Sequence, residues 1–327
     1  MRLLFFTDTH IRGTSPKNRK DDFVYTLEKK LYEIARIIKE KSIDYVLHGG
    51  DLFDRPDISV SIVSRFAKIF NGIDVPIYMV SGNHDVYGHN PKTINRTMIG
   101  LLNELSIMNI IEKDEKVILD KDGIKVQVTG QPYIYNIDDP INRDYYKVKE
   151  VLDNVDYSIH MVHGMLLDKP FIKGIPYTLV DDIKDTLADI TLSGHYHSGF
   201  KKVVIDGKYF INPGSIVRIS NSIREMDRKP KVVLIDLEDK IDISYIYLET
   251  AEDGEKVLDR KEIEKNIYKR ERIFEFKQTI DAALNFDKMD INDVLIEVSN
   301  AEGVDEFVKS EALKRIAIIQ MKGLAGD

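Results

Sequence analysis

The 327-residue chain contains no cysteine. Disulfides and thiolate metal sites are therefore excluded, and any metal must be held by nitrogen and oxygen donors. Long apolar runs are also missing. Met1-Arg2-Leu3-Leu4-Phe5-Phe6 is too short for a secretory hydrophobic region, and no later run is long enough to span a bilayer, so a cytoplasmic protein away from the membrane is expected. Positive charge is in deficit, with 47 Lys and Arg against 55 Asp and Glu and a net charge of −8. A uniformly acidic surface repels phosphate, so binding to nucleic acid would need a local basic patch, and bound divalent cations would add positive charge that the formal sum omits. There is no internal repeat and no low-complexity tract. At 43% hydrophobic and 31% charged, the composition is that of a soluble globular protein, with length for one large domain and a small second one.

What the chain does carry is a repeated habit: a short apolar strand that ends in a polar cluster, usually with glycine. Leu3 to Phe6 runs into Thr7-Asp8-Thr9-His10, Tyr45 to His48 into Gly49-Gly50-Asp51, and Ile77 to Val80 into Ser81-Gly82-Asn83-His84-Asp85. Later, Ser158 to Val162 runs into His163-Gly164, and Ile190 to Ser193 into Gly194-His195-Tyr196-His197. Open α/β folds bind ligands at the carboxyl ends of their parallel strands, so side chains placed there can converge on one crevice. The two oxygens of Asp51 can each serve a different metal ion. Asn83, His84 and Asp85 are consecutive and cannot all bind one metal comfortably; Asn83 is assigned to the metal and His84 is left as the free chemical group. His195 and His197, two apart on an extended segment, project the same way. Any one cluster could be a plain polar turn, but five in order make coincidence a poor account. His48, His89 and His160 lack such a context and read as ordinary core or surface histidines.

Between the clusters the apolar period is helical. It predicts helices over 22–41 (Phe23, Leu27, Leu31, Ile34, Ile38), 58–71 (Ile62, Phe66, Ile69) and 92–105 (Ile94, Met98, Leu101, Leu102). Strands are predicted over 116–119 and 125–129 about Asp122-Gly123, over 202–205 and 209–211 about Asp206-Gly207, and over 232–237 and 241–248. Asn212-Pro213-Gly214-Ser215 should form a tight loop near the site. Arg12, Lys17, Arg19 and Lys20 make a basic loop beside Asp8 and His10, with no acidic residue from 12 to 20. From about Thr250 the character changes: 259–285 is highly charged with a loose helical period, and 294–298 reads as a strand. Val304, Phe307, Val308, Ala312, Ile316 and Ile319 form a helical stripe over about 304–320. A main domain over 1–248 and a small second region over 249–327, cap-like or partner-docking, are expected.

Asp8-Thr9-His10, Gly50-Asp51, Gly82-Asn83-His84-Asp85, His163 and Gly194-His195-Tyr196-His197 reproduce, complete and in order, the motif set of the calcineurin-like metallophosphoesterases. Residues 1 to about 248 resemble that family. The resemblance implies an α/β fold, a two-sheet sandwich flanked by helices with a small α+β C-terminal region, and two divalent cations. Asp8, His10, Asp51 and His197 would hold one, and Asp51, Asn83, His163 and His195 the other, with His84 protonating or stabilising the leaving oxygen. Mixed carboxylate, imidazole and amide donors suit Mn²⁺, Fe²⁺ or Zn²⁺ better than Mg²⁺, and Mn²⁺ is the expectation. Within the superfamily the chain is most similar to the Mre11/SbcD nuclease subunits, through Asp8-Thr9-His10-Ile11-Arg12-Gly13, Gly50-Asp51-Leu52-Phe53-Asp54 and Pro213-Gly214-Ser215-Ile216-Val217-Arg218-Ile219-Ser220. That likeness implies an exonuclease or endonuclease of DNA repair or recombination. It also implies DNA contacts from Arg12, Lys17, Arg19, Lys20 and Arg218, a Rad50/SbcC-like coiled-coil ATPase as partner, and a homodimer. Asp54 departs from the pattern, standing where archaeal and eukaryotic members carry a second active-site histidine. A phosphodiesterase or phosphatase of small molecules is the alternative that the acidic charge favours, and a silent scaffold is disfavoured by the intact ligand set.

Overall fold

Alternation along strand β1 (Arg2–Phe6) decides what each face of its sheet covers. Leu3 and Phe5 join the apolar cluster shared by the two large sheets, and Leu4 and Phe6 join the cluster shared with the helices. The computed structural model describes residues 1–172 and 174–261, and beyond them 272–273, 295–296, 298–300 and 304–324. It divides into two units, Met1–Asp259 and Arg260–Asp327.

In the first unit, β1 pairs in parallel with β2 (Tyr45–His48), β2 with β3 (Ile77–Met79), and β3 with β4 (Asn109–Ile110). The other flank of β1 pairs antiparallel with β13 (Lys231–Leu237), which pairs with β14 (Ile241–Tyr247). The sequence did not announce this pairing, because the two partners are separated by most of the chain. The second sheet runs β11-β12-β10-β7-β6-β5, where β5 is Lys116–Lys121, β6 Ile124–Gln131, β7 Tyr157–Gly164, β10 Ile190–His195, β11 Phe200–Ile205 and β12 Lys208–Asn212. Its central strands β6, β7, β10 and β12 are parallel. A short parallel pair, β8 (Leu166–Leu167) and β9 (Thr178–Leu179), stands apart from both. The two hairpins turn at Asp122-Gly123 and Asp206-Gly207, all four residues having positive φ, as a two-residue turn of the tightest type requires.

The sheets pack face to face through Leu47, Val128, Ile159, Met161, Leu192 and Val233, with Leu3 and Phe5. This arrangement, an α/β sandwich with helices outside, is the architecture the resemblance implied. Helix α1 (Phe23–Glu40) begins where the Asp22 carboxylate accepts the Tyr25 N–H at 3.0 Å, and it buries Leu27, Leu31 and Ile34 against Leu4 and Phe6. Helix α2 (Val60–Asn71) adds Val63, Phe66 and Phe70.

The helix expected over 92–105 is broken. Pro91–Arg96 is a 3-10 turn, and Thr97, extended and accepting the Gly100 N–H at 3.2 Å, starts a new helix α3 (Met98–Glu104). A threonine that caps in this way ends one helix and opens the next. Residues 249–259 pack with the first unit: Glu249 and Thr250 donate their N–H groups to the Glu33 carboxylate, and Asp259 donates to the Asn18 carbonyl.

In the second unit, the charged stretch 262–271 and 274–285 lies outside the described residues. The strand expected over 294–298 is not formed: Leu295, Ile296 and Val298 are helical, and Ser299 Oγ donates back to the Leu295 carbonyl four residues earlier. The final helix is Glu306–Leu324, and the exposed part of its stripe includes Phe307 (80%) and Val308 (55%). The Ile319 side chain lies outside the described residues. No helix among the described residues is long and apolar enough to cross a membrane.

Candidate metal centre

Because β1, β2 and β3 are parallel, and β7 and β10 are parallel, the polar clusters at their carboxyl ends meet at one edge of the sandwich. The ladder continues past the strands: Asp8 N–H donates to the Gly50 carbonyl and His10 N–H to the Asp51 carbonyl, each at 3.0 Å. Asp8, His10, Asp51 and His195 all adopt positive φ. Asp and His tolerate this conformation better than most residues, but each still costs on the order of 1 kcal/mol or more, and only the surrounding contacts hold it. Two glycines make room. A Cβ on Gly50, itself at φ 98°, would overlap the His163 ring, and one on Gly82 would overlap the Asp51 carboxylate.

The donors among the described residues fall into three groups: two share a corner at Asp51, and the third, His10, Asp54 and His84, shares His10 with the first. Asp8, His10, Asp51 and His197 each bring one ligand atom within 4.8 Å of the others, and Asp51, His163 and His195 do the same. His10 Nε2 lies 2.9 Å from His197 Nε2, and Asp51 Oδ2 lies 3.6 Å from His10 Nε2 and 3.3 Å from His163 Nε2. Asn83 Oδ1 sits 2.9 Å from His195 Nδ1 and 3.2 Å from His163 Nε2. Carboxylate oxygens, imidazole nitrogens and an amide oxygen that converge at 2.9–3.6 Å form a donor set of the kind divalent cations take, so the residues present fit the two ions the resemblance implied.

Protonation divides the four imidazoles. Burial, aided by His197 and His84, pushes His10 down to about 3 against the pull of Asp51 and Asp8, and burial pushes His195 down to about 4. Both rings are thus neutral, as ligands must be. Burial opposes the charge on Asp51, but His163, His10 and His84 outweigh it and hold the carboxyl well below its usual range. The same pairing overcomes burial at His163 and raises it to about 9, and, against burial, the hydrogen bond and charge of Asp8 raise His197, so a cation at these two rings would displace a proton. His163 Nδ1 donates to the Gly49 carbonyl at 2.7 Å, which leaves Nε2 directed at Asp51.

Several supporting residues escaped the sequence reading. Thr7 Oγ1 donates to Asp8 Oδ2 at 2.7 Å, and the His195 N–H lies 3.1 Å from both Asp8 oxygens. Ser215, on the loop expected near the site, donates to the Asp8 carbonyl at 2.6 Å. Asp85 is buried and accepts the N–H groups of Phe53 and Gly82, so it fixes the turn on which Asn83 and His84 stand. Tyr133 packs its ring 5.3 Å from His195 and 5.5 Å from His89. Only Asp85 and Ser215 carried a signal, through their place in the motifs. His48 and His160 are buried and bonded, to Thr9 and to Thr129 with the Tyr145 carbonyl, and His89 is exposed.

His84 lies at the exposed rim. Its ring centroid is 4.9 Å from that of His10, its Nδ1 is 2.9 Å from the Asp54 carbonyl, and its N–H donates to Asp51 Oδ1 at 2.9 Å. The five cations expected to touch DNA divide. The Arg19 side chain is 2% exposed and bound to Asp21 at 2.6 Å, and Arg218 is buried, donating to the Arg228 and Glu252 carbonyls. Both are corrected to internal braces, since their donors are spent and their heads are out of reach. Arg12 pairs with Asp54 at 3.4 Å, while Lys17 and Lys20 are exposed.

The family model for calcineurin-like phosphoesterases matches residues 1–199. Among curated proteins, the chain is 24% identical over 201 residues to the DNA double-strand break repair protein Mre11 of Thermoplasma acidophilum, covering 59% of this chain and 51% of that one. It is 26% identical over 282 residues to the protein of the same name from Methanococcus maripaludis, covering 83% and 72%. The double-strand break repair protein MRE11 of Encephalitozoon cuniculi is 25% identical over 271 residues, covering 72% and 45%. The chain therefore spans about half the length of two of these relatives.

Proposed function

The chain belongs to the calcineurin-like phosphoesterase family, and we propose that within it this protein is a two-metal phosphodiesterase acting on DNA, a nuclease of the Mre11/SbcD kind. The observation that carries the reading is the shared corner, Asp51, which belongs to both donor groups. Asp8, His10, Asp51 and His197 would hold one ion, and Asp51, Asn83, His163 and His195 the other, with Mn²⁺ the best match to the mixed donors. Bound divalent ions supply positive charge at the phosphoryl group and make the attacking water more acidic. The residues of the chain do the rest. The left-handed turns at Asp8, His10 and Asp51 hold the donors in place before substrate arrives, so no reorganisation is needed during reaction. His84 Nδ1 is held by the Asp54 carbonyl, which leaves Nε2 to give a proton to the leaving oxygen.

DNA as substrate is supported by the names of the relatives and by Arg12, Lys17 and Lys20 on the loop that leaves the Asp8/His10 turn. A coiled-coil ATPase of the Rad50/SbcC kind is the proposed partner. Phe307 and Val308, exposed on the helix Glu306–Leu324, are the apolar side chains it offers to such a partner. The deciding experiment incubates the full chain with linear duplex DNA, single-stranded DNA and a small phosphodiester, each with Mn²⁺ and with chelator. Mn²⁺-dependent cleavage of DNA is the expected result. Turnover of the small diester alone would replace the nuclease with a small-molecule phosphodiesterase, and no turnover of any of the three would overturn the reading.

A further inference from the structure

Tyr196 stands between the two histidines of the last ligand cluster, so the segment that delivers His195 and His197 also walls a hollow of about 490 Å³. The proposed hydrolysis has no use for that hollow. Phe171 meets Tyr196 edge to face, with ring centroids 5.9 Å apart, and both rings are only partly buried. Arg224, exposed on the short helix α4 (Ile223–Asp227), donates to the Tyr196 hydroxyl at 2.6 Å. Buried Leu167 and Phe200 line the hollow too, and Ile172, 63% exposed, extends its apolar rim. Its charged lining is Lys169, Arg224 and Arg228 against Asp168 and Asp227. Arg228 is committed to the Ser215 and Val217 carbonyls and to Glu225, so Arg224 is the guanidinium that faces open solvent.

Rings packed only to fill a core are covered on all sides, whereas these present surface to a hollow whose wall, Tyr196, is the chain neighbour of two proposed ligands that do not themselves line it. The volume falls within the roughly 300–1,000 Å³ of small-ligand sites, and the mix of flat aromatic surface, apolar rim and exposed guanidinium matches a base with its phosphate. We propose that this hollow takes an unstacked nucleobase from the nucleotide flanking the scissile phosphate, with the base against Phe171 and Tyr196 and Arg224 on the adjoining backbone phosphate; this rests on the nuclease reading above. Every base has a π-face, so such a platform discriminates by strandedness and not by sequence. A base paired within a duplex cannot enter, and single strands and frayed ends are the preferred substrates.

The test uses the full-length protein with Mn²⁺ and single-stranded oligonucleotides in which one abasic position is walked along the strand. In the wild type, an abasic site flanking the cleaved phosphate lowers kcat/KM about tenfold, within the range that stacking of one base supplies. Phe171→Leu, which keeps an apolar side chain but removes the flat face, cleaves the intact and abasic strands at equal rates. A wild type indifferent to the abasic site at every position would overturn the hollow and leave the nuclease reading standing, and this arm needs no variant to fold. Hydrolysis of a small phosphodiester without cleavage of any oligonucleotide would overturn both.

Discussion

The two sheets contribute different chemistry to one edge. From the first come both carboxylates, Asp8 and Asp51, along with His10, Asn83 and the rim residue His84; from the second come only imidazoles, on His163, His195 and His197. Three of the four left-handed donor positions, Asp8, His10 and Asp51, also lie on the first sheet. The first sheet therefore supplies fixed negative charge on strained turns, and the second supplies imidazoles whose protonation depends on what faces them. Within the second sheet the contrast sharpens along a single strand. On β7, His160 sits among Thr129 and the Tyr145 carbonyl, and burial pushes it down to about 4, whereas His163, three residues on, faces Asp51 and rises to about 9.

Removing the shared carboxylate should break the comparison most severely. Asp51→Asn is expected to lose both ions by elemental analysis and roughly three or more orders of magnitude in phosphodiester turnover, since a neutral amide cannot balance two dications. If one ion remained at full occupancy, the shared corner would be refuted. His84→Gln should separate chemistry from metal binding on that same sheet: two ions per chain are retained while kcat falls by roughly two or more orders of magnitude, as for loss of a general acid. Loss of an ion in this variant would move His84 into the ligand set.

The second sheet is probed by pH in metal-free protein. His160 is lowered in the fold, so its contribution to stability is fully present above the unfolded value near 6.5 and is lost as pH falls through about 4, a change on the order of 3 kcal/mol. His163 has the opposite sign: its contribution is present below 6.5 and is lost as pH rises through about 9. NMR titration of the two rings, with denaturant unfolding across the same range, measures both, and equal midpoints for the two rings would erase the contrast. The smallest effect concerns the loop beside the first sheet. Neutralising Lys17 and Lys20 should reduce the log–log salt slope of DNA binding by about two units, and an unchanged slope would take the loop off the DNA path.

Much of the first unit was legible because its cues are local. The apolar run of Leu3 to Phe6, the stripe from Phe23 to Ile38, and the Asp-Gly turns at 122 and 206 are properties of neighbouring residues, and the structure reproduces each. The helix expected over 92–105 failed because Thr97 serves better as a cap than as an interior residue, a competition that apolar period does not register. Arg19 and Arg218 looked like surface cations because sequence reports charge but not the carboxylate or carbonyls waiting to receive it.

The sequence by itself determined which side chains stand at strand ends, since an apolar run followed by a glycine-assisted polar cluster specifies both the strand and its exit. It could not determine that β13 and β14 close the first sheet beside β1, because pairing across most of the chain is set by which edge remains free once the local units have formed. Nor could it determine protonation. His160 and His163 are the same residue type on one strand, and only the tertiary fold, by facing one toward a threonine and a backbone carbonyl and the other toward Asp51, set their affinities for a proton several units apart.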